Sequence, residues 1–180
     1  DAFGFVVGVG TFDLSKQTMT VSDGAIADFN ADVLSVSLTV TDLFVGVGGA
    51  LNGTNDGIVT TDAIGFEAGG TLNLALVQNT AAPGDKYIGI ELSNLSASLI
   101  GIDDLTFEVS SVGVQVNQGP AAGRLDWATA AANDTADILP AFTMSAAVEF
   151  AASGDVAIDA FGFFNARGGF SLKKATDSFV

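Results

Sequence analysis

Bulky apolar residues alternate with small or polar ones along most of this chain, with a period of two. The clearest run is 32–42, where Leu34, Val36, Leu38 and Val40 alternate with Ser35, Ser37, Thr39 and Thr41. Such a period puts the aliphatics on one side of an extended strand and the hydroxyls on the other, so one face is expected to be core and the other wet or paired. Leu72, Leu74 and Leu76 repeat the pattern, then Ile88, Ile90 and Leu92, then Leu95, Ala97 and Leu99. Leu105, Phe107 and Val109 lead on to Val112, Val114 and Val116. The parity of the bulky positions changes after Leu92 and again near Ser110-Ser111, which is what a one-residue β-bulge does to every later side chain.

Turn signals divide these runs at Ser22-Asp23-Gly24, 52–57, Pro83-Gly84-Asp85 and 101–104, with a loop at 118–124. Residues 43–50 read as a further strand or a bulged continuation. Helix is confined to a short turn in the alanine-rich stretch 125–139, which Pro140 ends. Strand alternation resumes over 142–150, with Phe142, Met144, Ala146, Val148 and Phe150 on one face. Roughly ten to twelve strands are predicted, with antiparallel pairing as the default. The fold class is therefore all-β, an elongated antiparallel sandwich or solenoid-like module.

The opening of the chain returns near its end. Residues 1–18, DAFGFVVGVGTFDLSKQT, match residues 159–176, DAFGFFNARGGFSLKKAT, at ten of eighteen positions with an offset of 158. A fixed-period return of this kind marks a tandem array whose units complete their buried surface against neighbours. Residues 1–158 read as one β unit and 159–180 as the start of the next, equivalent to 1–22. The bulky positions Phe3, Phe5, Val7 and Val9, with Phe161 and Phe163, are taken as the assembly strand. In both copies the parity then switches beside glycine, to Phe12 and Leu14 and to Phe170 and Leu172, and a bulge is expected there.

Composition narrows the function classes. Hydrophobic residues make up 48% of the chain and charged residues 15%, with a mean hydropathy of +0.47. A free soluble domain carries about a quarter charged residues, so strands covered on both faces, or burial against another copy, are expected. No run reaches the ~20 apolar residues of a membrane-spanning helix. The net charge of −15, with six basic residues, excludes nucleic acid as a partner. There is no cysteine, hence no disulfide or zinc-thiolate site, and no histidine, hence no Ser-His-Asp or Cys-His arrangement.

Oxygen ligands remain. Asp28-Phe29-Asn30-Ala31-Asp32 has the alternating opening of a calcium loop, without the glycine and closing glutamate that complete one, so a weak calcium site through Asp28, Asn30 and Asp32 is the leading metal expectation; Asn55-Asp56 with Asp62, and Asp103-Asp104, are further oxygen clusters near turns, and Asx-turns are the simpler reading of all of them. No other cofactor is expected. Glu67, Glu91, Glu108 and Glu149 are the carboxylates from which a glycosidase pair would have to come, but three of them sit in alternating runs on the polar face, where charge keeps a sheet soluble. The chain is read as not an enzyme. A membrane β-barrel also fits alternation and acidity, yet 14 Phe with one Tyr and one Trp does not suit an interfacial girdle.

The repeated DAFGFF…GGFSL, the stretch SLIGIDDLTFEVSSVGVQVNQG and GRLDWATA resemble the long tandem repeats of giant secreted or surface-displayed bacterial proteins, the large repetitive adhesin and fibre type. The resemblance implies an extracellular or cell-surface structural module, whose partners are other copies of the same repeat and which self-associates by strand pairing. It implies no catalytic residue. The alternatives are an adhesin-type module recognising carbohydrate or a surface through loops 52–57, 81–86 and 118–124, and a fragment of an outer-membrane β-barrel.

Overall fold

Residues 5–175 are described by the computed structural model. The strands follow one another as β1 (Val6–Val21), β2 (Phe29–Val47), a two-residue pair β3 (Ala50–Leu51) and β4 (Ile58–Val59), then β5 (Ile64–Asn79), β6 (Lys86–Ile100), β7 (Leu105–Gln118), β8 (Val148–Ala160) and β9 (Phe164–Ala175). The seven long strands form one antiparallel sheet in the order β1-β2-β5-β6-β7-β8-β9, and β3 pairs only with β4. The sheet is neither closed nor curled, and β1 and β9 are its two edges. The fold is all-β. Among the described residues there are nine strands rather than ten to twelve, because several expected segments are halves of one long strand, and no second large sheet completes a sandwich.

Parity changes within strands are real and have a common effect. The register passes from Val9 opposite Asp42 to Gly10 opposite Val40, leaving Thr41 as the extra residue of β2. In β6 the extra residue is Asn94, between Thr71 opposite Ser93 and Gly69 opposite Ser96, and in β7 it is Ser111, between Ser110 opposite Asp155 and Gly113 opposite Ser153. Asn94 and Ser111 both take φ of +54°, the left-handed conformation that lets a strand gain a residue and keep pairing. Each bulge returns the aliphatic residues beyond it to the face that carries those before it.

One face is consequently apolar from edge to edge. Phe12, Leu38, Leu72, Leu92, Val114, Ala152 and Leu172 form one cross-strand row, and Leu14, Val36, Leu74, Ile90, Val116 and Phe150 the next. Beyond the bulges Val45 lies opposite Phe66, and Phe66 opposite Leu99. No element covers this side: Phe12, Leu14, Val45, Phe66, Leu76, Phe170 and Leu172 are all exposed.

The other face is covered. Residues 119–147, between β7 and β8, cross the sheet as an irregular segment with one helix, α1 (Trp127–Asn133), whose N-cap Asp126 accepts from Thr129 N at 2.8 Å. Leu125, Trp127, Ile138, Leu139, Phe142 and Met144 of this cover pack on Val21, Ala31, Val33, Ala75, Val77 and Tyr87 of the sheet. The indole of Trp127 lies flat on Gly89, where a Cβ would fall 2.7 Å from the ring. At the other end of the same face, Val7 and Phe44 are fully buried, with Phe44 against Gly49 of the segment leading into β3.

The expectation that the aliphatic side of the strands is core is thus reversed, for a physical reason. An irregular cover exposes backbone groups that need partners once buried, and polar strand residues supply them. Ser35 Oγ donates to Ile138 O, Asn73 Nδ2 to Ala141 O at 3.3 Å, and Asn117 Nδ2 to Leu125 O at 2.9 Å. Glu91 accepts from Thr143 N at 2.8 Å and Thr143 Oγ1 at 2.6 Å, while Asn117 Oδ1 accepts from Trp127 Nε1 at 2.9 Å. Residues 142–147 are therefore not strand as expected: Phe142 and Met144 do point inward, but the backbone between them bonds Glu91 rather than a neighbouring strand.

Candidate functional site

The sheet ends in two unpaired backbone edges, which come from the two copies of the repeated stretch and share Gly10/Gly168, Phe12/Phe170, Leu14/Leu172 and Lys16/Lys174. β1 begins at Val6 and β9 at Phe164, the residue 158 positions further on, so the two strands are equivalent under the internal repeat. Their side chains behave alike: on the open face Phe12 is 64% and Leu14 57% exposed, while Phe170 is 49% and Leu172 62% exposed. Proteins blunt such edges with proline, bulges or dense charge. Here the three prolines, Pro83, Pro120 and Pro140, are all outside strands, β1 carries only Asp13 and Lys16 as charges over sixteen residues, and β9 carries Arg167, Lys173 and Lys174 while holding register with β8 without interruption from Phe164 to Lys174. Both strands leave the backbone groups of their outer side unpaired within this sheet.

The β8–β9 pairing shows what a joint looks like. Ala160-Phe161-Gly162-Phe163 forms the connection, with Phe161 and Gly162 at φ of +55° and +67° and Phe163 N donating to Ala160 O at 3.0 Å, the primed-turn pattern of a tight hairpin. Phe161 N also donates to Asp104 O of the β6–β7 turn at 2.6 Å, which holds a bulky residue in a conformation it would otherwise avoid. Across the joint Ala152 faces Leu172, and the ring of Phe170 covers Gly154, where a Cβ would sit 3.1 Å from the ring. Lys174 bonds Glu149, which Arg124 approaches at 3.8 Å; the Lys174 hydrogen bond, then both cationic charges, hold the Glu149 carboxyl below its ordinary value.

The assembly residues chosen from sequence fall differently. Phe161 and Phe163 are turn residues rather than strand residues, Phe5 precedes β1, and Phe3 lies outside the described residues. Val7 and Val9 are in β1, but Val7 is buried on the covered face and is not an edge contact. The expected bulge in each copy is also relocated. In the first copy the extra residue is on the partner strand at Thr41, and in the second β9 has none, so the switch from Val9 to Phe12 is a change of face within a regular strand. The side chains that do flank both edges, Phe12/Phe170 and Leu14/Leu172, stand among the ten matched positions and could have been chosen on that ground.

The chain matches no family model, no curated protein and no solved structure.

Other sequence-derived positions are dispersed. Asn30 and Asp32 stand two apart on β2 and accept from Thr20 Oγ1 at 2.9 Å and Thr18 Oγ1 at 2.7 Å, and Asp28 precedes the strand. Alternate residues of an extended strand are ~7 Å apart, too far for three oxygens to converge at calcium distance. Among the described residues no three acidic side chains are gathered as metal ligands. Glu91 is spent on the cover, Glu149 on Lys174, and Glu67 accepts from Thr60 Oγ1 at 2.8 Å. Glu67 does share a shallow trough of about 300 Å³ with Asp42, Ser98 and Glu108 on the covered face. Loops 81–86 and 118–124 leave one end of the sheet and 52–57 lies towards the other, so the three do not make one surface. No helix is long and apolar enough to cross a membrane among the described residues.

Proposed function

We propose that this chain is a structural repeat module of an extracellular bacterial filament, stalk or surface layer, extended by strand pairing at β1 and β9. One observation carries the reading: β9 comes from the second copy of the stretch that supplies β1, and it already lies against β8, so on this reading the next unit's first strand is the last strand of this sheet. Each unit then contributes six long strands, and the sheet passes from unit to unit without an edge. Pairing of this kind satisfies the backbone groups that β1 and β9 leave open and accounts for edges without proline, and for a β1 edge with only two charges. The resemblance to tandem repeats of giant surface-displayed proteins supports the same reading.

The joint has a definite register. Leu14 faces Val36 within the unit, so Leu172 should face Val36 of the following unit, just as it faces Ala152 of its own. The test is a two-unit chain in which residues 19–158 follow Thr176, made with cysteine pairs in this cysteine-free background. Leu172→Cys with Val36→Cys of the second unit, and in a separate variant Leu172→Cys with Ala152→Cys, are both expected to link with a short crosslinker. If only one of the two pairs links, the shared strand serves one sheet at a time and the continuous array is wrong.

A further inference from the structure

We propose that the open face of the sheet is a docking surface for the open face of a second copy of this chain, so that the working form is two sheets packed back to back. The face spans seven strands of about thirteen residues, which at ~4.8 Å between strands and ~3.3 Å per residue is about 1,400 Å² in outline. The largest apolar patch on an ordinary soluble monomer is roughly 300–600 Å², and a stable interface takes about 800 Å² from each partner. The open face exceeds both. Its charge is sorted to match: among strand residues Asp13, Asp42, Glu67, Glu91, Glu108, Asp155, Asp159, Arg167 and Lys173 fall on the covered side by register, and Lys16, Asp32, Lys86 and Lys174 stand on the open side, all towards one end.

Two observations favour a protein sheet over lipid as the occupant. Faces that meet a bilayer are bordered by Tyr and Trp, whereas the sole Tyr87 and sole Trp127 of this chain are buried beneath the cover on the opposite side. The composition fits a sheet partner: the Leu, Ile and Val side chains at a two-residue pitch on the central strands β2, β5, β6 and β7 interdigitate with a like surface about 10 Å away. Open sheets beyond ~10 strands curl or split unless another layer flattens them, so lateral growth from β1 and β9 also calls for a second layer. The docking itself does not depend on that growth.

The full chain contains no cysteine, so one introduced thiol reports on one face. Leu92→Cys lies mid-face on the central strand, and Ser153→Cys is exposed on the covered side. With a ~10 Å bismaleimide at micromolar chain concentration, Leu92→Cys is expected to give at least tenfold more covalent dimer than Ser153→Cys. Sedimentation should give a particle of twice the 18.1 kDa chain mass. A double change, Leu74→Glu with Ile90→Lys, should weaken the dimer at least a hundredfold while the emission of Trp127, buried on the other face, stays native. Equal crosslinking from the two thiols, a dimer indifferent to the double change, or a monomer that co-sediments with phosphatidylcholine vesicles would each overturn the proposal, the last in favour of lipid. Edge pairing is read separately by the Leu172 crosslinks, so failure of one leaves the other standing.

Discussion

Asn117 shows how much one polar side chain on the covered face contributes. It is fully buried, accepts from Trp127 Nε1, and donates to Leu125 O and to Ser145 O at 3.2 Å. Asn117→Ala takes from the buried indole N–H its acceptor and from the Leu125 carbonyl its Asn117 donor, while Ser145 O keeps Val148 N at 3.1 Å, and a loss of about 2–4 kcal/mol is expected in urea unfolding with an unchanged slope. Tyr87 gives a pH signature in the same layer. Burial first, then the carboxylates of Asp85 and Asp23, push its phenol above the ordinary value of 10.0. The unfolded chain therefore releases this proton before the folded one, so the stabilisation is complete below pH 10 and is lost as pH rises towards the folded-state pKa. The drop in urea midpoint between pH 8 and pH 11 should be larger for the native chain than for Tyr87→Phe. Neither residue could be singled out from sequence, because a strand-borne Asn or Tyr declares its partner only when the segment that follows β7 is laid over it.

The strands themselves were written plainly in the alternation, since a period of two survives any tertiary arrangement. Their lengths were not, because Leu92 to Leu95 and Val109 to Val112 look like the end of one strand and the start of another. In fact Asn94 and Ser111 are absorbed as single left-handed residues. Removing such a residue should do more harm than changing it. Deleting Ser111 turns Val112, Val114 and Val116 onto the polar side and brings their neighbours to the apolar one, and cooperative unfolding should be abolished in thermal melts. Ser111→Gly, which suits φ of +54°, should be neutral or stabilising by up to about 1 kcal/mol in the same assay. The choice of face was misread for a related reason. Aliphatic alternation says that residues share a side, and does not say whether that side is met by the chain's own loops.

For the whole molecule the most informative feature in the sequence was the return of its opening, which identified β1 and β9 as equivalents before either was placed. What it could not supply was the spatial result, that the equivalents are the two outer strands of one sheet rather than neighbours. With six long strands per 158-residue unit and ~4.8 Å between strands, a continuous array advances about 29 Å per unit. Fibre diffraction or electron micrographs of a multi-unit chain should show that spacing along the axis, together with the 4.8 Å strand reflection. A beads-on-a-string spacing near the ~45 Å length of a strand would instead mean that the units fold apart.

The segment between Gln118 and Val148 rests on the sheet through side chains alone, since no strand of the sheet pairs with its backbone. It supplies one side of the buried core from a single connection, while β7 and β8 keep their own register from Leu105 opposite Ala160 to Val116 opposite Phe150. Alignment of the strands and closure of the interior are thus set by different parts of the chain, the first by the backbone ladder and the second by the side chains of one connecting segment.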